Sequence, residues 1–154
     1  MKGHQIAQLN VALMRASPDD PVMAEFFENI DKINRLAENS AGFVWRLKTD
    51  EGDATSIRIY DDERILVNMS VWDSIEALKD FVYRTTHSNF VRRRKEWYEH
   101  YPGAYYVLWW VPAGHTPSLE EAVRRLERLD RLGPTPEAFN FAKVFEPVDS
   151  ESPT

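Results

Sequence analysis

Two polar side chains matter for where they fall. With the segment from His87 to Tyr101 wound at about 100° per residue, His87, Phe90, Val91, Arg94, Trp97, Tyr98 and Tyr101 share one stripe roughly 120° wide, while Arg92, Lys95, Glu96 and Glu99 lie outside it. An imidazole on such a stripe can exchange a proton near neutral pH, which makes His87 an acid/base candidate. A guanidinium there must find a carboxylate, a backbone carbonyl or a ligand anion, because an unpaired buried charge is costly. Arg94 is therefore an anion-partner candidate. The competing reading is structural: Arg94 pairs with an internal acid and His87 makes a core hydrogen bond.

A second constellation is neutral. Gln8 and Asn10 share one alternation phase in the first apolar-polar run, and Asn68, Ser70 and Trp72 share the same phase in another. If the two runs are neighbouring strands, amides and a hydroxyl converge beside an indole, the kind of polar patch that small-molecule sites use. The same residues would equally suit a wet interface. Downstream, Trp109 and Trp110 precede the Pro112-Ala113-Gly114 turn and His115, so His115 sits on a loop at the end of an aromatic strand, either as a ligand contact or as a local packing histidine. The triple arginine Arg92-Arg93-Arg94 invites a nucleic-acid reading, but helical geometry scatters it and Glu96 and Glu99 follow within pairing distance.

Composition narrows the classes. A chain of 154 residues with 43% hydrophobic residues fits one domain with one core. Its net charge of -6 argues against a nucleic-acid surface. Without cysteine there is neither disulfide, thiol nucleophile nor thiolate metal site. The opening residues show no signal-peptide pattern, and no apolar run approaches membrane length. The expectation is a soluble, cytoplasmic protein without membrane or nucleic-acid partners. No H-x-x-x-H spacing, P-loop, dinucleotide fingerprint or G-x-S-x-G elbow is present, so no metal site is expected.

The elements that must position these residues follow from periodicity. Gln5 to Met14 reads as a strand, with Ala7, Leu9 and Val11 opposite Gln8 and Asn10. Asp20-Pro21 caps a helix carrying Met23, Phe26, Phe27, Ile30, Ile33 and Ala37. Phe43 to Leu47 is a short strand, Ile57 to Tyr60 a brief segment, and Ile65 to Trp72 a clear strand. Asp73 and Glu76 suggest a capping box for the next helix, with a kink or a break at Thr85-Thr86, just before His87. Tyr105 to Val111 is a strand, Ser118 and Glu121 open a helix ended by Gly133-Pro134, and Phe139 to Phe145 alternates like an edge strand. Residues 1-146 form a single domain, and 147-154 a disordered tail. The order predicts an α+β, ferredoxin-like split β-α-β antiparallel sheet with helices on one face, plus an extra C-terminal helix and strand. The uncovered sheet face then calls for a second copy, a homodimer.

The phrases LNVALMR, INRLAENSAGFVWRL, NMSVWDSIEALKDFVYRTTHSNFVRRRKEWYE, LWWVPAGHTPSLEEAVRRLERL and GPTPEAFNF resemble an uncharacterised bacterial family, domain of unknown function 3291, over almost the whole chain. That family is similar to the dimeric α/β-barrel superfamily of antibiotic-biosynthesis monooxygenases and haem-degrading monooxygenases. The resemblance implies the dimeric α/β barrel and no settled activity. The haem-degrading members use an asparagine on the first strand, a tryptophan ending the third and a histidine on the following helix. Asn10, Trp72 and His87 occupy comparable elements, with a longer gap between the last two.

Together these readings give a cofactor-independent, monooxygenase-like or cyclase/isomerase-like enzyme of secondary metabolism acting on a small hydrophobic or aromatic ligand. His87, Arg94 and Asn10 would be its catalytic groups. Gln8, Asn68, Ser70, Trp72, Trp97, Trp109, Trp110 and His115 would be its ligand contacts. The alternatives are a haem-binding or haem-degrading protein with His87 as axial ligand, and a non-catalytic metabolite-binding or structural homodimer.

Overall fold

The strict alternation around Gln8 and Asn10 makes its strand the centre of the sheet. The computed structural model describes residues 3–16, 20–47, 65–86, 98–99 and 103–147. Strand β1 (His4–Met14) pairs antiparallel with β3 (Ile65–Trp72) on one side and with β5 (Tyr106–Pro112) on the other. The short β2 (Phe43–Arg46) adds to β3, giving the order β2-β3-β1-β5. Helix α1 (Ala24–Glu38) links β1 to β2, and α2 (Ile75–Thr86) follows β3. This is the expected split β-α-β plan. Among the described residues, no helix is long and apolar enough to cross a membrane.

Register divides the sheet into two faces. Ala7, Leu9 and Val11 of β1 lie with Val67, Met69, Val71, Val107 and Trp109 in one cluster, and α3 (Leu119–Leu132) lays Ala122, Leu126 and Leu129 on it. On the other face Ile6, Trp72, Leu108 and Phe139 pack with Ala37 of α1 and with Ile75 and Leu78 of α2. The first cluster is buried within a single chain. The need to cover that face therefore gives no ground for a homodimer, because the extra helix α3 covers it.

Several local expectations change. Asp20 opens a 3-10 turn, Pro21–Met23, through Met23 N–H to Asp20 O, so α1 starts later, at Ala24. Asp73 is not the cap of α2. Ser74 is, its hydroxyl accepting from Ala77 N–H at 3.1 Å, while the Asp73 carboxylate accepts from Gln5 Nε2 and its N–H donates to Gly42 O. α2 extends to Thr86, and the expected kink or break just before His87 falls at the edge of the described residues. Tyr98–Glu99 is not helical: as β4 it pairs with Leu13 and Met14, so a continuous His87–Tyr101 helix is excluded at that point. Phe139 to Phe145 is not a full strand. It makes one bridge, Phe139 to Leu108, flanked by turns at Thr135–Ala138 and Asn140–Lys143. The Ile57 to Tyr60 segment and the 147-154 tail, apart from Pro147, lie outside the described residues. Ser118 caps α3 as expected, accepting from Glu121 N–H, and Gly133 closes it.

Gly42 turns α1 into β2 at φ +84°, with an added Cβ falling 2.5 Å from Ala77 Cβ. Gly114 has φ +90° with nothing near such a Cβ. Gly114→Ala should therefore cost only the left-handed conformation, about 1–2 kcal/mol. Gly42→Ala should cost about 1–3 kcal/mol more, because α2 must also move away. Urea unfolding of the two variants measures the difference.

Candidate functional site

The face shared with α1 and α2 carries its side chains in three cross-strand rows: Asn68–Asn10–Tyr106, Ser70–Gln8–Leu108 and Trp72–Ile6–Trp110. The two polar rows form one hydrogen-bonded network. Gln8 Nε2 donates to Ser70 Oγ at 2.7 Å and to Asn68 Oδ1 at 2.8 Å. Asn10 Nδ2 donates to Gln8 Oε1 at 2.9 Å and to Asn68 Oδ1 at 3.3 Å. Trp72 Nε1 donates to Ser70 Oγ at 2.9 Å. The network has a buried end and an open end. Gln8 and Ser70 are 8% and 6% exposed, whereas Asn10 and Asn68 are half-buried. Such burial is tolerable only because the inner groups are paired.

The open end keeps unspent capacity. Among the described residues nothing accepts from Asn68 Nδ2 and nothing donates to Asn10 Oδ1. Neither belongs to the buried unpartnered atoms of the described residues, His4 Nδ1 and Arg128 Nε, so both remain reachable. A further amide stands on the helix that covers this face. Asn34 is 6% exposed, yet it has no hydrogen-bond partner among the described residues. It lies three residues before Ala37, which packs into the cluster beneath α1, and so belongs to the same side of the helix. Sequence reading missed Asn34, which stands in the apolar spacing of α1 between Ile33 and Ala37.

Aromatic side chains border the patch. Trp72 is stacked on Phe81 at 5.0 Å and meets Phe43 edge-on at 5.5 Å. On the β5 side, Tyr106 is in register with Asn10 and accepts Phe141 N–H on its phenol oxygen. Burial, the largest influence, raises the Tyr106 pKa above its ordinary value and outweighs the Phe141 hydrogen bond, so the phenol is neutral at pH 7. Trp110 lies on this face and anchors the C-terminal turns by donating to Phe145 O. A bulge in β2 brings Arg46 into register with Ser70, where its Nε meets Glu38 Oε2 at 2.7 Å. The cation in register with the network thus has a carboxylate beside it. Tyr106 and Arg46 were also missed.

Five expected contacts, Gln8, Asn10, Asn68, Ser70 and Trp72, are therefore brought together. Trp109 and His115 are not with them. Trp109 points to the opposite face, where it is fully buried and donates to Glu121 Oε2 at 2.9 Å, because neighbours in a strand alternate. His115 Nε2 contacts the other oxygen of the same carboxylate at 2.9 Å. His87, Arg94 and Trp97 lie outside the described residues. The haem alternative needs a histidine at this face, and its candidate, His87, is one of those three. Asn10 and Trp72 do share a face, but Trp72 spends its indole N–H on Ser70 and is fully buried. Among the described residues no group of three or more His, Asp or Glu is placed to hold a metal ion.

The family described as Domain of unknown function (DUF3291) matches residues 5–153. No curated protein matches the chain. Among solved structures, two crystal structures of SnoaB, a cofactor-independent oxygenase from Streptomyces nogalater, are similar. A point mutant gives a TM-score of 0.48 at 14% identity, covering 73% of this chain and 95% of that one. The second gives 0.42 at 14% identity, with 75% and 96% covered.

Glu121 yields a pH prediction. Burial favours its neutral form and is the largest single influence, but hydrogen bonds from His115 and Trp109, with the charges of His115 and Arg125, outweigh it and hold the carboxyl below its ordinary value. A folded-state pKa below the unfolded one stabilises above the unfolded pKa and is lost as pH falls through the folded pKa. The stability advantage of the wild type over Glu121→Gln should be constant above the ordinary carboxylate range and shrink below it. Denaturant melts across acid pH measure this, and an advantage that grows on acidification contradicts it.

Proposed function

This chain belongs to the family described as Domain of unknown function (DUF3291), matched over residues 5–153, and we infer that it binds a small, uncharged, largely aromatic molecule between α1 and the sheet face bearing Gln8, Asn10, Asn68 and Ser70. One observation carries this reading: the network spends its amide capacity at its buried end and keeps some unspent at its open end, and Asn34, on the covering helix, has no hydrogen-bond partner among the described residues. A purely structural network would spend its capacity internally, since each buried polar group without a partner costs about 1–3 kcal/mol. The surrounding rings of Trp72, Phe81, Tyr106 and Phe141 supply the apolar border that such ligands need.

In its catalytic form the protein is a cofactor-independent oxygenase-like, cyclase-like or isomerase-like enzyme of secondary metabolism. Asn10 and Asn68 hold and polarise the ligand's oxygen or nitrogen atoms, and developing negative charge on such an atom is stabilised by a preorganised amide donor. His87 remains the acid/base group of this reading, Arg94 its anion partner and Trp97 a wall. The homodimer also belongs to it, on the family resemblance and no longer on the need to cover a sheet face. In its non-catalytic form the same site binds a metabolite without turning it over. Incubating bound ligands under air and following their absorption separates the two forms.

Asn34 gives the sharper test of the site. In Asn34→Leu the ligand-free protein should be at least as stable as the wild type, because an amide with no hydrogen-bond partner among the described residues is replaced by an apolar group. The same variant should bind aromatic ligands about tenfold more weakly, as should Asn10→Ala. Thermal shift with a panel of small aromatic compounds reads both effects. A destabilised Asn34→Leu, or ligands bound equally well by all three proteins, refutes the site.

A further inference from the structure

The network has a property that depends on the type of each atom in it. The Trp72 indole can only donate, so Ser70 Oγ must accept from it. Every other link joins an amide nitrogen to an amide oxygen or to the Ser70 hydroxyl. Turning the amides of Gln8, Asn10 and Asn68 over together exchanges nitrogen and oxygen at nearly the same positions. Ser70 then donates to Gln8 Oε1, Gln8 Nε2 donates to Asn10 Oδ1, and Asn68 Nδ2 donates to both oxygens. No hydrogen bond is lost, because the rotatable hydroxyl of Ser70 changes from accepting to donating toward Gln8. At the open end, the reversal exchanges the Asn68 donor for an acceptor and the Asn10 acceptor for a donor. In either sense the pair shows one donor and one acceptor, and the two exchange places.

This constrains the ligand. A carboxylate offers two acceptors and would set one of them against an amide oxygen in either sense. An amidinium offers only donors and fails in the same way. The cation in register with the network, Arg46, already faces Glu38. We propose that the ligand is a planar, uncharged ring system whose edge carries one donor and one acceptor that exchange by tautomerism, as in a lactam–lactim or enol–ketone pair, and that the Gln8–Asn10–Asn68–Ser70 network reverses to match. In that exchange one proton leaves the nitrogen or oxygen that carried it and reaches the other heteroatom, the π bonds shift between them, and nothing is oxidised or reduced. The network keeps five hydrogen bonds in either sense; the Ser70 O–H, which has no acceptor among the described residues while Ser70 accepts from both Gln8 and Trp72, donates to Gln8 Oε1 once the amides reverse.

The inference rests on the ligand site proposed above, and its test separates the two. Isothermal titration of the full chain uses carbostyril, which carries an adjacent N–H and C=O, its N-methyl derivative, which lacks the donor, quinaldate, which is an anion, and benzamidine, which has donors only. Carbostyril should bind at least about tenfold more tightly than the other three. In Asn68→Asp both carboxylate oxygens accept, the network cannot reverse, and the open end shows two acceptors. That variant should lose carbostyril by about tenfold or more and gain benzamidine. The gain of a new ligand cannot come from misfolding. Asn10→Ala should abolish both preferences. If the N-methyl derivative or quinaldate binds as well as carbostyril and Asn10→Ala weakens it, the site stands and the tautomer proposal falls. If carbostyril binds but Asn10→Ala leaves it unchanged, the site itself falls. Absence of carbostyril binding, or no gain of benzamidine in Asn68→Asp, overturns the proposal.

Discussion

The register of β1 between β3 and β5 is the constraint on which the rest of the molecule depends. Gln8 faces Ser70 and Leu108, and Asn10 faces Asn68 and Tyr106, because the pairings run unbroken from Ile6 to Leu13 on one side and from His4 to Asn10 on the other. A slip of one residue would move Gln8 and Asn10 into the apolar cluster under α3 and bring Ala7 and Leu9 to the polar side. Both exchanges are prohibitive, one through unpaired amides and the other through exposed apolar surface. The polar network therefore also fixes the sheet: it is stable in one register only.

That mutual dependence explains why the polar residues can sit so deep. Gln8 and Ser70 are buried as thoroughly as many core aliphatics, and each is tied to at least one neighbour on the adjacent strand. Trp72 closes the inner end as an obligate donor and is itself wedged between Phe43 and Phe81. The indole thus ties the aromatic packing of β2 and α2 to the inner end of the network through Ser70. Asn34 is the exception, a largely buried residue whose amide has no hydrogen-bond partner among the described residues, and the proposed ligand site rests in part on it.

Much of this was legible in the sequence because strands repeat with period two. Alternation alone placed Gln8, Asn10, Asn68, Ser70 and Trp72 on one face, and the split β-α-β order made their strands neighbours. The same rule, applied to Trp109 and Trp110, would have separated them; treating adjacent tryptophans as one wall ignored it. Elsewhere local chemistry had near-equal competitors. Asp73 and Ser74 are both good caps, and the outcome turned on a long-range partner, Gln5, which takes the Asp73 carboxylate. Phe139 to Phe145 alternates like a strand, but Asn140 accepts Lys143 N–H with its side chain and closes a turn instead. Tyr98 and Glu99 carry a helical pattern that pairing with the end of β1 overrides. Asn34 and Arg46 could not have been found without tertiary structure, since only the packing of α1 and the bulge in β2 turn them toward this face.

The two faces of the sheet divide the labour of the fold. On one side α3 seals an apolar cluster, and Glu121 at its first turn ties the buried Trp109 to His115 on the loop after β5, so that core, helix and loop share one carboxylate. This side uses its polar groups to fasten one element to another. The opposite side is covered by α1 and α2 but keeps amide capacity in reserve at Asn10, Asn68 and Asn34. With one face closed by the chain itself, stability does not require the other to be filled by protein. That freedom is what allows a sheet of this plan to hold amides with unspent capacity above a buried, bonded pair, and the proposed binding site falls at the open end of that network and not at the histidine-bearing loop.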